Sequence, residues 1–340
     1  FNTKLYTGNG STQSITGVGF QPDWVWLKAR SSAYSHQLFD SVRGATKLLT
    51  SEATDAEQTL SGVTSFDSDG FAVGSDAGTN NNTTTFVSWN WKAGTSFTND
   101  ASSTGVGSID SSGSTSSDAG FSIISYTGTG SLGTIAHNLG AAPAWLIFKE
   151  RSEARDWMVY QHKNTSEPAS DYLYLNTNAA TVDADNFMND TAPTSSVFTV
   201  KGFSEVNKSS QTYICYAFAE KKGYSKFGSY QGNSSTDGPF LYMGFKPAFL
   251  MVKRTNTTEN WYMKDNKRDP FNDMDASALY ANGNAVEDTG GAWLTGDACA
   301  NGFKIRKNDT SSNGSGSTYV YFAFAESPFV NSSGVPTNAR

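Results

Sequence analysis

The sequence has few charged residues and no long apolar run, and each shortage excludes a class of partner. Charged residues are only 17% of the 340 residues, and the formal net charge is −7. Nucleic-acid binding requires a basic face, and anionic membrane surfaces attract basic segments. No apolar stretch approaches the roughly 18 residues of a membrane-spanning helix. We therefore expect no nucleic-acid partner and no membrane insertion.

Cysteine is also scarce. The two cysteines, Cys215 and Cys299, lie far apart along the chain, one in an aromatic strand and one in a loop. This separation predicts two free thiols, and it excludes a small secreted scaffold stapled by disulfides.

The residues that are abundant favour β-structure. Aromatic residues make up 13% of the chain, and Gly, Ser, Thr and Asn fill much of the remainder. This composition is typical of short strands joined by turns of small residues, and it lacks the residues that favour helices.

One motif occurs three times along the chain. A proline is followed after six residues by a lysine that ends an apolar strand, at Lys28, Lys149 and Lys253. Each copy later has a Gly-Phe pair and closes on an aromatic strand. The pairs are Gly70-Phe71, Gly202-Phe203 and Gly302-Phe303, and the closing strands span 86–91, 213–218 and 319–324. Ordered matches at near-constant spacing indicate three tandem copies of one module.

Each copy has the size of a domain with its own core, so we expect independent beads rather than a continuous solenoid. The predicted organisation is module 1 at 1–94, a flexible Ser/Gly-rich linker at 95–117, module 2 at 118–222, module 3 at 223–329 and a tail at 330–340. Within module 1, the run Trp24-Val25-Trp26-Leu27 is apolar on both faces and predicts a central strand. The predicted fold class is all-β, with three β-sandwich modules of jelly-roll or lectin-like type.

Few residues suggest a metal site or a catalytic site. Asp67-Ser68-Asp69-Gly70 resembles the start of a calcium loop, so Asp67 and Asp69 are weak calcium candidates. The alternative is a polar hairpin turn, and no other cofactor is indicated. Asp40 and Asp265 are each followed after three residues by an arginine, which predicts structural ion pairs rather than the paired carboxylates of a glycosidase.

Two tryptophans are candidates for ligand contact. Trp157 and Trp261 lie in polar surroundings, beside Asp156 and Asn260 respectively. An exposed indole can stack on a sugar ring while a neighbouring carboxylate or amide binds its hydroxyls. The alternative is that both rings pack inside the protein.

Four strings spread along the sequence also resemble a known family. These strings are Phe39-Asp40-Ser41-Val42-Arg43-Gly44, Val87-Ser88-Trp89-Asn90-Trp91-Lys92, Asn189-Asp190-Thr191-Ala192-Pro193-Thr194 and Gly334-Val335-Pro336-Thr337-Asn338-Ala339-Arg340. The chain resembles, over essentially its whole length, a domain of unknown function that is common in virion proteins of marine tailed bacteriophages.

The resemblance implies a phage particle protein with lectin-like modules, of the tail-fibre or receptor-binding type, and it brings no catalytic residues. We therefore expect a non-enzymatic virion protein that contacts other virion proteins and host-surface carbohydrate. The alternatives are a head decoration or other structural component without a ligand, and a tailspike that degrades polysaccharide. Receptor-binding proteins gain avidity from many linked sites, so a homo-oligomer or an array anchored on the particle is expected rather than a free monomer. The three tandem modules could instead act as a pseudo-trimer within one chain.

Overall fold

The computed structural model describes residues 1–270, 272, 274, 277–290 and 294–325, and over these ranges the chain folds almost entirely into antiparallel strands. The predicted all-β class is therefore confirmed. The predicted tail at 330–340 lies outside the described residues. Both cysteines are free thiols, as predicted.

Strands follow one another along the whole described chain, in three groups that we call the first, second and third lobes. The first lobe contains β1 (Asn2–Thr7), β2 (Gln13–Thr16), β3 (Trp24–Ala29), β4 (Gln37–Asp40), β5 (Lys47–Leu48), β6 (Gln58–Thr59), β7 (Val63–Asp67), β8 (Gly70–Val73) and β9 (Thr85–Trp91). The second contains β10 (Thr95–Asn99), β11 (Ser111–Ser116), β12 (Phe121–Thr127), β13 (Gly133–Ala136), β14 (Trp145–Glu150), β15 (Met158–Gln161), β16 (Asp171–Tyr174), β17 (Val182–Asp183), β18 (Val197–Val200) and β19 (Thr212–Phe218). The third contains β20 (Ser225–Gln231), β21 (Phe240–Tyr242), β22 (Pro247–Arg254), β23 (Trp261–Asp265), β24 (Leu279–Tyr280), β25 (Gly296–Cys299), β26 (Gly302–Ile305) and β27 (Thr318–Ala325). Four single-turn helices interrupt them, namely α1 (Ala77–Asn80), α2 (Ala101–Thr104), α3 (Ser204–Asn207) and α4 (Thr310–Asn313).

One strand order recurs in all three lobes. The main sheets contain the orders β1-β9-β3-β4, β12-β19-β14-β15 and β20-β27-β22-β23. The pairing register also agrees, because Lys28, Lys149 and Lys253 lie opposite Val87, Ile214 and Val320, respectively. The repeated lysines therefore occupy equivalent strand ends, as the repeat predicts. The module boundaries themselves stay predictions.

The predicted linker contains two strands. Residues 95–99 and 111–116 form β10 and β11, which pair with each other and then with β12. They extend the second main sheet to eight strands. In the other two main sheets the strands equivalent to β12, which are β1 and β20, are edge strands. The prediction of a flexible linker is wrong because the edge of β12 supplies the backbone partners that small polar residues need to form strands.

The Gly-Phe correspondence is also wrong in its second copy. Phe71 pairs with Ile15 and Phe303 pairs with Leu241. The residue that pairs with the matching Ile135 is Phe198, not Phe203. By strand register, Val197-Phe198 rather than Gly202-Phe203 is the counterpart of Gly70-Phe71 and Gly302-Phe303.

Side chains on the central strands alternate between two cores. In β3, Val25 and Leu27 point to a core shared with a small second sheet, β2-β8-β7, whereas Trp24 and Trp26 point to the opposite face. Successive side chains of a strand point to opposite faces, and here both sets are buried, so β3 is covered on both faces. The prediction of a central strand over 24–27 is therefore confirmed.

The second face of each main sheet packs into one common core, which we call the central core. It contains aromatic residues from all three lobes, including Trp24, Trp89, Trp91, Trp145, Tyr216, Phe218, Phe249, Phe322 and Phe324. The lobes are therefore not independent beads, because each contributes a wall of the same hydrophobic core.

Equivalent backbone hydrogen bonds close the three lobes into a ring. Glu57 N donates to Arg151 O, Thr181 N donates to Thr255 O, and Glu287 N donates to Arg30 O, each at 2.8 Å. The direction runs from the first lobe to the second, from the second to the third, and from the third back to the first. We call these contacts interface 1–2, interface 2–3 and interface 3–1. One chain thus forms the closed head-to-tail arrangement that a cyclic trimer forms from three chains.

Candidate functional site

The two candidate tryptophans lie at the interfaces of this ring. Both side chains are fully buried. Trp157 Nε1 donates to Thr50 O across interface 1–2, and Trp261 Nε1 donates to Tyr174 O across interface 2–3, each at 2.8 Å. A sugar cannot reach either ring, so the expectation of exposed sugar-binding indoles is wrong for both.

The polar neighbours of these tryptophans form hydrogen bonds within their own lobe. Asp156 Oδ1 accepts from Asn176 Nδ2 at 2.7 Å, and Asn176 Oδ1 accepts from Trp157 N. Asn260 and Asn282 form the same pair beside Trp261, at 2.8 Å. Asp156 and Asn260 therefore orient the strand that carries each indole.

His36 occupies the third equivalent position, although its local sequence did not single it out. Its Nδ1 accepts from Trp26 Nε1, so Nε2 carries the proton that it donates to Tyr280 O at 3.0 Å across interface 3–1. Burial lowers the pKa of His36 well below its usual value, which keeps the ring neutral. Spacing was the signal that could have found it, because each of the three residues follows its repeated lysine by eight positions.

Asp40 and Asp265 form the ion pairs that their spacing predicts. Both carboxylates are fully buried, with Arg43 Nε at 2.5 Å and Arg268 Nε at 2.6 Å. Each carboxylate also accepts a hydrogen bond from a neighbouring lobe of the ring. Tyr216 donates its hydroxyl to Asp40 Oδ2 at 2.7 Å, and Trp89 donates its indole N–H to Asp265 Oδ2 at 3.1 Å.

At each of two interfaces, a glutamate joins the ion pair to an arginine of the neighbouring lobe. Glu57 Oε2 lies 3.3 Å from Arg43 Nη1 and 2.8 Å from Arg151 Nε, which belongs to the second lobe. At interface 3–1, Glu287 joins Arg268 at 2.9 Å and Arg30 at 2.8 Å. Both interfaces therefore contain the same Asp-Arg-Glu-Arg chain.

At interface 2–3, a neutral residue occupies each of the four positions of this Asp-Arg-Glu-Arg series. The equivalent positions are occupied by Gln161, Asn164, Thr181 and Thr255. Phe322 occupies the position of Tyr216 and Trp89, which donate to the aspartates of the other two interfaces. Phe322 has no polar side-chain atom. Interface 2–3 therefore has neither the buried carboxylate nor the side chain that donates a hydrogen bond to it.

The smaller residues are accompanied by a groove at interface 2–3. It has a volume of about 390 Å³ and is lined by Thr165, Ser166, Glu167, Ser170, Asp171, Ala180, Thr181, Asp183, Thr255, Asn256 and Thr318. Asp171 is buried in its wall, and burial raises its pKa, helped by the charges of Asp183 and Glu167.

The three repeated lysines are buried where the lobes meet. Lys149 Nζ donates to Thr54 O of the first lobe at 2.9 Å, and Lys253 Nζ donates to Asn178 O of the second lobe at 3.2 Å. Burial lowers the pKa of Lys28 and of Lys149 to about 8, and that of Lys253 to about 7.

Two exposed aromatic side chains stand out from this buried set. Phe240 is 43% exposed and Tyr242 is 65% exposed, and both lie on β21, an edge strand of the third small sheet. The register places Ser14 and Thr16 of β2 at the same positions in the first lobe. The second lobe has Thr134 and Ala136 there. We call Phe240 and Tyr242 the aromatic pair.

The calcium candidates form a hairpin turn. Asp67 and Gly70 pair across the turn between β7 and β8. Asp69 accepts from Gly17 N at 2.9 Å and Gly19 N at 2.7 Å, and these two bonds lower its pKa. Asp67 accepts from Ser65 Oγ at 2.8 Å. Across the described ranges, no group of three or more His, Cys, Asp or Glu residues could hold a metal ion.

Among the residues that the structure describes, no helix is long and apolar enough to cross a membrane. No curated protein matches the chain. A family model described as "Domain of unknown function (DUF7483)" matches residues 1–328, which include all three lobes of the ring. A match over nearly the whole chain shows the family, and the protein is a member of DUF7483.

Proposed function

We propose that this protein is a non-enzymatic structural component of a phage particle, of the tail-fibre or spike type, and that it contacts host-surface glycan. The particle context is supported by the family resemblance of the sequence motifs. The glycan contact is supported by one structural observation, the aromatic pair on β21. The proposal requires no cofactor.

The aromatic pair has the geometry of a stacking platform. Residues two apart on a strand project from the same face, about 7 Å from each other. An aromatic ring offers a flat apolar face to the C–H groups of a sugar ring. The strand arrangement that the lobes share does not depend on aromatic rings at these places, because Ser14 and Thr16 occupy them in the first lobe. A side chain that packing does not need, and that stays exposed, favours a role in binding.

The buried charges support a structural rather than a catalytic role. Asp40 and Asp265 are each neutralised by an arginine and closed off from solvent. A glycosidase needs two carboxylates that face a substrate across a cleft. The carboxylates that the repeat places at equivalent positions instead hold neighbouring lobes of the ring together.

A glycan array with multivalent display tests the proposed contact. Wild-type protein should bind a subset of host-surface glycans, and Phe240→Ala with Tyr242→Ala should reduce the signal at least about tenfold, since avidity amplifies each lost contact. Ser14→Ala with Thr16→Ala changes the equivalent strand and should leave binding unchanged. Absence of wild-type binding to any glycan would contradict the proposal.

Two further measurements separate the alternatives. Antibody labelling of intact particles should place the chain at the tail; labelling over the head would instead favour a decoration protein. Incubation with host polysaccharide should release no reducing ends. Their release would favour a degrading tailspike.

A further inference from the structure

We propose that the groove at interface 2–3 is a saccharide-binding site for a neutral or amino-bearing sugar unit. The inference rests on the proposed glycan contact, and it adds a second place where that contact is made. It is carried by a comparison of the three interfaces, which share one backbone arrangement but differ in how the space between them is filled.

The groove lies where larger side chains stand in the other two interfaces. Thr255 takes the place of Arg151 and Arg30, and Thr181 takes the place of Glu57 and Glu287. The backbone bond between Thr181 and Thr255 has the same 2.8 Å length as its two counterparts. The backbones of the two lobes therefore meet at interface 2–3 as they do at the other two interfaces, while the smaller side chains leave space between the lobes.

A longer turn builds one wall of the groove. Six residues separate Asn164 from Asp171, whereas three separate the equivalent Arg43 and Lys47. The additional length brings Ser166 and Glu167 to the groove. Asp171 stands at the position of Lys47, because Asp171 pairs with Asp183 as Lys47 pairs with Thr59. The change of residue reverses the charge at this position.

The groups around the groove can both accept and donate hydrogen bonds. Asp171 is only 4% exposed and accepts from Thr165 Oγ1. Ser166 and Asn256 also line the groove, and their hydroxyl and side-chain amide are groups that can donate hydrogen bonds.

This combination defines the ligand class. A sugar hydroxyl donates to a carboxylate and accepts from an amide or a threonine, so it satisfies both kinds of group. Glu167, Asp171 and Asp183 line the groove together with no lysine or arginine among its described lining residues, which disfavours uronic and sialic acids by charge repulsion. The volume of about 390 Å³ lies within the range of small-molecule sites, about 300–1,000 Å³.

The other interfaces supply the variant that closes the groove. Thr181→Glu with Thr255→Arg introduces the ion pair of interfaces 1–2 and 3–1, so the protein should fold with an unchanged or higher thermal midpoint. Asp171→Asn is a second variant, which keeps the shape and removes one charge. Lys47→Gln, at the equivalent position of the first lobe, is the matched control.

Binding should be followed by saturation-transfer NMR on the full chain, with galactose, glucosamine and glucuronic acid as probes. At about 10 mM sugar, a millimolar site is substantially occupied. We expect transfer to galactose or glucosamine and none to glucuronic acid. Thr181→Glu with Thr255→Arg should reduce the transfer at least about tenfold, Asp171→Asn should reduce it severalfold, and Lys47→Gln should leave it unchanged.

Other outcomes would overturn the inference. Transfer that survives in the folded Thr181→Glu, Thr255→Arg variant but is lost in Phe240→Ala with Tyr242→Ala would remove the groove site and leave the proposed function intact. A wild-type protein that binds no glycan on the array would remove both. Binding of N-acetyl-arginine amide, with none of the sugars bound, would assign the groove to a basic segment of a partner protein and overturn the saccharide assignment.

Discussion

Interfaces 1–2 and 2–3 have the same backbone contact but different chemistry. At interface 1–2 a chain of Asp40, Arg43, Glu57 and Arg151 fills the space between the lobes. At interface 2–3 neutral residues occupy those positions, and a groove remains. Both keep the indole that donates to a carbonyl of the neighbouring lobe. The comparison shows that ring closure depends on burial and backbone pairing, while the charged layer can be exchanged.

The largest effect should come from the features that the two interfaces share. Trp157→Ala and Trp261→Ala should each cost about 3–5 kcal/mol, because each removes a fully buried ring and the hydrogen bond of its indole. Urea unfolding measures both, with Trp26→Ala in the central core as a reference. A small loss for Trp261 alone would show that interface 2–3 is looser than its backbone contacts indicate.

A change in the charged layer should separate the interfaces. Asp40→Ala leaves the buried Arg43 guanidinium without its carboxylate and should cost about 3–5 kcal/mol. Gln161→Ala at the equivalent position removes only neutral hydrogen bonds and should cost about 1–3 kcal/mol. Equal losses in urea unfolding would contradict the distinction between a charged and a neutral interface.

The pH dependence of stability should report on the buried lysine at interface 2–3. The pKa of Lys253 is lowered from 10.5 to about 7 by burial. Between these values the unfolded chain keeps the proton that the folded chain releases, so the unfolded state binds more protons and stability rises with pH. Below about pH 7 both states are protonated and this contribution to the pH dependence disappears.

Thermal unfolding between pH 7 and 9.5 measures this effect. We expect the wild-type midpoint to rise by a few degrees over this interval, on the order of 1 kcal/mol for each pH unit. Lys253→Met should flatten the profile more than Lys149→Met, because the pKa of Lys149 is lowered only to about 8. A wild-type midpoint that falls over this interval would show that Lys253 stays charged in the folded protein.

The smallest effect should come from the single hydroxyl that joins the two lobes at Asp40. Tyr216→Phe removes the 2.7 Å bond to Asp40 Oδ2 and the 3.3 Å bond from Arg43 Nη2, and it leaves the ion pair between Asp40 and Arg43 intact, so we expect about 1.5 kcal/mol. A double-mutant cycle with Asp40→Asn isolates the coupling between the two side chains. Zero coupling would show that the ring packing of Tyr216, and not its hydroxyl, contributes to interface 1–2.

Some of this architecture follows from local sequence patterns. The repeated lysines, the alternation over Trp24–Leu27 and the Asp-Arg spacing predict equivalent strand ends, a strand covered on both faces and two ion pairs. These features depend on residues that are close in sequence or on a side-chain period, so the sequence carries their signal directly. The candidate site was harder to predict from the sequence. The polar neighbours of Trp157 and Trp261 are compatible with a ring that faces solvent and with a ring that packs against a second lobe.

The sequence by itself determined the all-β class, the threefold repetition and the residues that end each central strand. The tertiary structure decided which face of each main sheet would be shared, that residues 95–99 and 111–116 would join the second sheet, and that interface 2–3 would have a groove. These outcomes depend on contacts between residues about 100 positions apart. Such contacts arise only when three apolar sheet faces remove one another from water, and a local pattern does not record which partner does so.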